Sequence, residues 1–113
     1  MAKHAPDLSL IFQALSDPTR RAILSRLAGK AQPVTEIAQP TGLALPTVLR
    51  HLSVLEGAGL IRTEKTGRTR YCHAEPETLA AVDGWLAGQR KIWDARFDRL
   101  EAYATTLTKA NPK

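Results

Sequence analysis

From Leu45 onward, apolar residues recur at positions 45, 48, 49, 52 and 55. That spacing is close to 3.6 residues, so it makes one face of a helix apolar. Pro46 falls in the first turn, where a missing N–H costs nothing. Gly57 and Gly59 are placed to close the helix at its other end. The opposite face is short, polar and basic: Thr47, Arg50, His51 and Ser53. A helix of this kind fits a DNA major groove, and it equally fits the surface of an ordinary amphipathic bundle.

The flanking pattern narrows that choice. Leu8, Ile11, Phe12 and Leu15 predict a short first helix over 8–15. Ser16-Asp17-Pro18 predicts a restart, with Asp17 as cap and Pro18 at the first helical position. Ile23, Leu24 and Leu27 supply the buried stripe of this second helix, and Gly29 stops it near Ala28. Arg20 and Arg21 sit at its start, against the helix dipole, so Arg20 calls for a partner. A phosphate, a second subunit or an ion pair within the chain would each serve. After the connector Gln32-Pro33-Val34, Thr35 is expected to cap a short helix with Ile37 and Ala38 inward. Pro40 ends that helix early, and Thr41-Gly42 makes the turn into the helix at 45. Leu60 to Lys65, Thr66-Gly67 and Arg68 to His73 then read as a β-hairpin with Arg68 at its tip. Arg68 and Arg70 are expected on one face and Tyr71 on the other. Helix, turn, helix, hairpin is the winged helix-turn-helix order.

Glu75-Pro76-Glu77 opens a last helix, with acids at its positive end. Leu79, Val82, Leu86, Gln89, Trp93, Arg96, Leu100, Tyr103 and Leu107 alternate spacings of three and four, and Trp85, Ile92 and Phe97 broaden the seam. One small body does not readily cover so long an apolar seam, which predicts a two-fold dimer built from the helices at 8–15 and 75–108. Leu8, Ile11, Phe12, Leu86, Trp93, Phe97, Leu100 and Tyr103 are its candidate interface residues. The alternative is a helix folded back on its own subunit.

The expected architecture is mainly α with a small β-hairpin, a single domain over 1–113. Its helix-turn-helix lies at about 34–58 and its wing at 60–73. Charge strengthens the nucleic-acid reading. The formal net charge is +5, and residues 61–73 carry four Lys/Arg against one acid. A local cationic excess on a hairpin beside a reading helix suits phosphate contact. Candidate DNA-binding residues are therefore Leu45, Thr47, Arg50, His51 and Ser53 on the helix, and Arg62, Lys65, Arg68 and Arg70 on the wing, with Lys30 beside them. The composition is globular. No apolar run is long enough to span a membrane, and Met1 to Pro6 contains no apolar signal segment, so a cytoplasmic protein is expected.

Ala14-Leu15-Ser16-Asp17-Pro18-Thr19-Arg20-Arg21-Ala22-Ile23-Leu24 resembles the opening of the ArsR-type bacterial transcriptional repressors. Pro46-Thr47-Val48, Arg50-His51-Leu52, Val54-Leu55 and Ala58-Gly59-Leu60 are similar to that family's reading helix and its exit, and Gly67-Arg68 with Tyr71 to its wing. The resemblance covers residues 8–108 and implies a homodimeric repressor of double-stranded DNA. Ala44, Leu45 and Leu49 stand where the family often has Ser, Gln and Ser. Apolar groups there can meet a thymine methyl but donate no hydrogen bond. Metal-sensing relatives carry a cysteine pair before the turn, or Asp, His and Glu ligands on the last helix. Here 32–37 has no cysteine and 75–108 no histidine. His4, His51 and His73 have no ligand-like spacing, so the resemblance is to a metal-independent branch without cofactor. Cys72, the single cysteine, permits no internal disulfide, although a bond between subunits is conceivable. Two further readings stay open: a winged-helix module that binds protein, supported by Leu45 and Leu49, and a sensor of an unnamed small ligand. No catalytic triad, carboxylate pair or Gly-rich phosphate loop suggests an enzyme.

Overall fold

The computed structural model describes residues 6–110. Residues 1–5, most of the expected loose end and the site of His4, lie outside them. The chain forms two compact units, divided between Ala80 and Ala81.

In the first unit, helix α1 (Leu8–Leu15) starts at Asp7, whose carboxylate accepts from the Ser9 and Leu10 N–H groups. Helix α2 (Pro18–Arg26) begins as expected, with Asp17 accepting from the Arg20 N–H at 3.0 Å and Pro18 at the first position. Strand β1 (Gln32–Pro33) leads into α3 (Val34–Ala38), and a 3₁₀ turn (Gln39–Thr41) follows. Gly42, at φ +67°, then turns the chain into α4 (Leu45–Gly57). The wing consists of β2 (Ile61–Thr66) and β3 (Thr69–Ala74), and α5 (Pro76–Ala110) begins at the end of this unit.

Three expectations are corrected here. Gln32-Pro33 is a strand, not a plain connector: it pairs antiparallel with Cys72 and Tyr71, giving a sheet of order β1-β3-β2. Thr35 lies inside α3 and caps nothing, because the helix starts two residues earlier than a Thr35 cap would place it, with Pro33 at the cap position. The hairpin turn is Gly67-Arg68, with Thr66 and Thr69 paired across it, so Arg68 stands in the turn and not on a strand face with Arg70. Gly67 takes φ +63° while Arg68 stays negative, the requirement of a turn that wants glycine first.

Helix α4 sits at the centre of the core. Val48, Leu52 and Leu55 are buried, and the helix packs on α1, α2 and β2. Its end is a Schellman motif: the Gly59 N–H donates to Glu56 O and the Leu60 N–H to Leu55 O. Leu55 and Leu60 are both fully buried beneath that closure. Gly59 supplies the left-handed residue at φ +76°, whereas Gly57 is merely the last helical residue. Ile11, Ala14, Ile23, Leu27, Ile37, Ile61 and Cys72 complete the core around α4. Ile11 has no exposed surface, so it is a core residue and not part of an interface.

In the second unit, α5 continues from Ala81. The whole helix is 35 residues long, about 52 Å at 1.5 Å per residue. Val82 is buried, while Leu86, Trp93, Phe97, Leu100, Tyr103 and Leu107 are exposed. Trp93 and Phe97 rings lie 6.2 Å apart, and the Arg96 guanidinium stands over Trp93.

Candidate nucleic-acid interface

The reading helix presents Arg50 and Ser53 to solvent and holds Thr47 and His51 half-buried on one flank. Leu45 and Leu49, on the other flank, are 48% and 45% exposed, so the buried stripe is narrower than the sequence spacing implied. Ala44 provides no side-chain cap, and the α4 N-terminus keeps its leading N–H groups without a side-chain acceptor.

His51 is held by a contact the sequence does not announce. Arg20 Nη1 lies 3.2 Å from His51 Nδ1. The same guanidinium donates from Nε to Ala14 O at 2.7 Å and from Nη2 to Gln13 O at 3.1 Å. Arg21 donates likewise to Leu15 O. Both arginines therefore cap the C-terminus of α1, where cations meet free carbonyls and the negative end of a dipole. Their position opposes the dipole of their own helix but suits that of the preceding one. Within the chain, the Arg20 guanidinium thus meets two carbonyls and an imidazole. Asp17 nearby has its carboxyl held below the ordinary value, chiefly by the hydrogen bond from the Arg20 N–H, against an opposing desolvation and with smaller help from the Arg20 charge and from His51 when that ring is protonated.

On the wing, Lys65 and Arg70 are direct cross-strand partners, with Arg68 at the tip beyond them. Like charges placed opposite each other destabilise a hairpin, and a bound anion relieves the repulsion. Arg70 also donates to Thr63 Oγ1, and Thr63 in turn donates from N and Oγ1 to Glu56. Arg62 differs from the other wing cations. It pairs with Glu64 at 2.9 Å and Glu75 at 2.8 Å, and His73 Nε2 lies 3.6 Å from the same Glu64. Acids of its own chain thus answer part of the Arg62 charge while its side chain stays 53% exposed, which makes it a weaker candidate for phosphate contact than Lys65, Arg68 and Arg70. The i, i+2 spacing of Arg62 and Glu64 on one strand face was the available signal; Glu75 arrives only through the fold.

Cys72 is fully buried, and burial pushes its thiol up to about 11, with Glu56 adding and Arg70 opposing. That environment suits neither a thiolate nor a bond to a second subunit. Among the described residues no group of three or more His, Cys, Asp or Glu side chains is arranged to hold a metal ion. No helix among them is long and apolar enough to cross a membrane.

A cationic wing beside a reading helix, carried on a small helical core, defines a winged helix-turn-helix DNA-binding transcriptional regulator. Residues 15–64 match the helix-turn-helix domain family. The chain is 41% identical over 71 residues to the HTH-type transcriptional regulator Rv2034 of Mycobacterium tuberculosis, covering 63% of this chain and 66% of that one, just under two thirds of its length. It is 32% identical over 76 residues to the transcriptional repressor SdpR of Bacillus subtilis, covering 67% and 84%. A crystal structure of an ArsR family transcriptional regulator superposes with TM-score 0.74 at 49% identity, covering 77% of this chain and 96% of that one. A homodimeric winged helix-turn-helix DNA-binding domain from Mycobacterium bovis superposes with TM-score 0.61 at 25% identity, covering 80% and 93%. The chain belongs to the ArsR family. Its relatives are regulators of transcription, not enzymes.

Proposed function

We propose that this regulator is a homodimeric repressor, a single winged-helix domain that occupies an operator and needs no metal or cofactor to do so. The observation that carries the DNA contact is the Lys65–Arg70 pair behind Arg68, three cations on a wing whose only other cation is internally paired. Lys65, Arg68 and Arg70 meet phosphates; Arg50, His51, Thr47 and Ser53 meet the groove, and Leu45 offers an apolar contact to thymine. The exposed row of Leu86, Trp93, Phe97, Leu100 and Tyr103 on α5 supports self-association, as does exposed Phe12 on α1, where Leu8 is half-buried. Exposed apolar rows of this kind mark interaction sites. Repression by SdpR and the homodimeric state of the M. bovis domain point the same way. The reading is tested by selecting bound duplexes from random DNA, with and without Zn(II), Cu(I) and a thiol oxidant, alongside sedimentation equilibrium. A defined operator, a dimer and insensitivity to all three additives are expected. A monomer, or no retained duplex at low salt, defeats the proposal.

A second reading is favoured by one observation: Leu43, Leu45 and Leu49 are all exposed at the start of α4, which suits an apolar protein partner. Charge reversal at Arg50 and Arg68 separates the two, because it abolishes DNA binding and leaves an apolar contact intact.

A further inference from the structure

We propose that Arg20 is a positioning residue for the reading helix: it holds His51 in the Nε2–H form, so that His51 meets DNA as a donor to a purine acceptor in the major groove. The proposal rests on the reading of His51 as a groove-facing residue and adds what it reads and why. A guanidinium offers only donors and stays charged. At 3.2 Å from Arg20 Nη1, His51 Nδ1 must therefore be the acceptor, and the ring proton resides on Nε2. Arg20 cannot easily swing away, since two of its other nitrogens are spent on Ala14 O and Gln13 O. Ala14 is fully buried, so the carbonyl that holds the guanidinium belongs to the rigid core. The Arg20 backbone is itself fixed by the Asp17 cap. The α1 C-terminus thus aims one donor at the reading helix and decides which nitrogen of His51 remains a donor.

The consequence is a direction of readout. An Nε2–H donor pairs with an acceptor (purine N7, guanine O6 or thymine O4), whereas an accepting nitrogen would prefer cytosine N4 or adenine N6; N7, which both purines share, is the acceptor assigned to His51. Arg20 touches no DNA in this scheme and acts only through His51.

Two measurements test it. Histidine side-chain proton–nitrogen correlation spectra of the free, nitrogen-15-labelled protein, with His51 assigned through His51→Gln, are expected to give a protonated Nε2 and a bare Nδ1. Arg20→Met should shift His51 toward a mixture of both forms, and Arg20→Lys should fall between. If Arg20→Met unfolds the chain by releasing α1, the wild-type and Arg20→Lys spectra still decide. A wild-type His51 protonated on Nδ1, or one indifferent to both Arg20 variants, overturns the proposal without touching the DNA-binding reading. The second measurement is affinity for a selected duplex. His51→Phe should lose about tenfold and His51→Gln, whose amide donates from a similar place, should stay within about threefold. Replacing purines one at a time by their 7-deaza forms should reproduce the His51→Phe loss at one position. A loss blind to every 7-deaza replacement overturns the N7 contact, and if it is also uniform across sequences it assigns His51 to a phosphate.

Discussion

Removing Arg68 and Arg70 together should flatten the salt dependence of DNA binding, and removing Arg62 should not. Each phosphate neutralised releases condensed counterions, so log K falls against log salt with a slope of about −0.9 per contact. If Lys65, Arg68 and Arg70 each meet one phosphate, a dimer makes about six contacts and the slope is about −5. Between 50 and 200 mM salt the wild type then loses about a thousandfold in affinity. Arg68→Ala/Arg70→Ala leaves about two contacts, a slope near −2 and a loss of about tenfold over the same range. Arg62→Ala is the internal control: its guanidinium is held between Glu64 and Glu75, so its loss should leave the slope within about one unit of wild type. Fluorescence anisotropy of a labelled duplex, titrated at five or six salt concentrations, measures all three slopes. Equal slopes for wild type and the double variant would refute the wing as the phosphate-binding element. A drop of two for Arg62→Ala would refute its assignment to an internal ion pair.

Three further outcomes follow from the core and its caps. Leu55→Ala empties a fully buried site under the Schellman closure and should cost about 2–5 kcal/mol, read by denaturant unfolding; a loss below about 1 kcal/mol would mean the α4 end is loosely packed. Cys72 should resist iodoacetamide at pH 8 in the native protein and react quickly once unfolded, since its thiol is raised to about 11; fast native alkylation contradicts the burial. The Asp17 carboxyl titrates below its ordinary 3.8, so its cap stabilises fully above that pH and is lost as pH falls through the lower folded value. Asp17→Asn keeps an acceptor without the titration, and its stability should vary less than wild type below pH 4; an unchanged acid limb rules out Asp17 as a contributor.

Local rules made much of this protein legible in advance. Asp17-Pro18 starts a helix because a carboxylate and a missing N–H both suit a first turn, and Gly59 ends α4 because a left-handed residue is needed there. Those requirements act within a few residues, as does the helical spacing of Val48, Leu52 and Leu55, so the order of elements and the position of the reading helix could be read directly. Thr35 misled because a capping residue is recognised by type, whereas α3 starts directly after β1, whose Pro33 pairs with β3, two residues earlier than a Thr35 cap would place it.

The amino-acid sequence by itself determined the helix-turn-helix, the wing and the long apolar seam of α5, since each depends on periodicity or on one residue's backbone preference. Only the tertiary structure decided which charges are available. Arg62 meets Glu75 thirteen positions away, and Arg20 meets His51 thirty-one positions away, across elements that no local rule brings together. It also made Ile11 a core residue while Leu10 and Phe12 stayed outside. Burial and charge neutralisation are properties of juxtaposed surfaces, and a chain's own spacing does not specify which of its surfaces will meet.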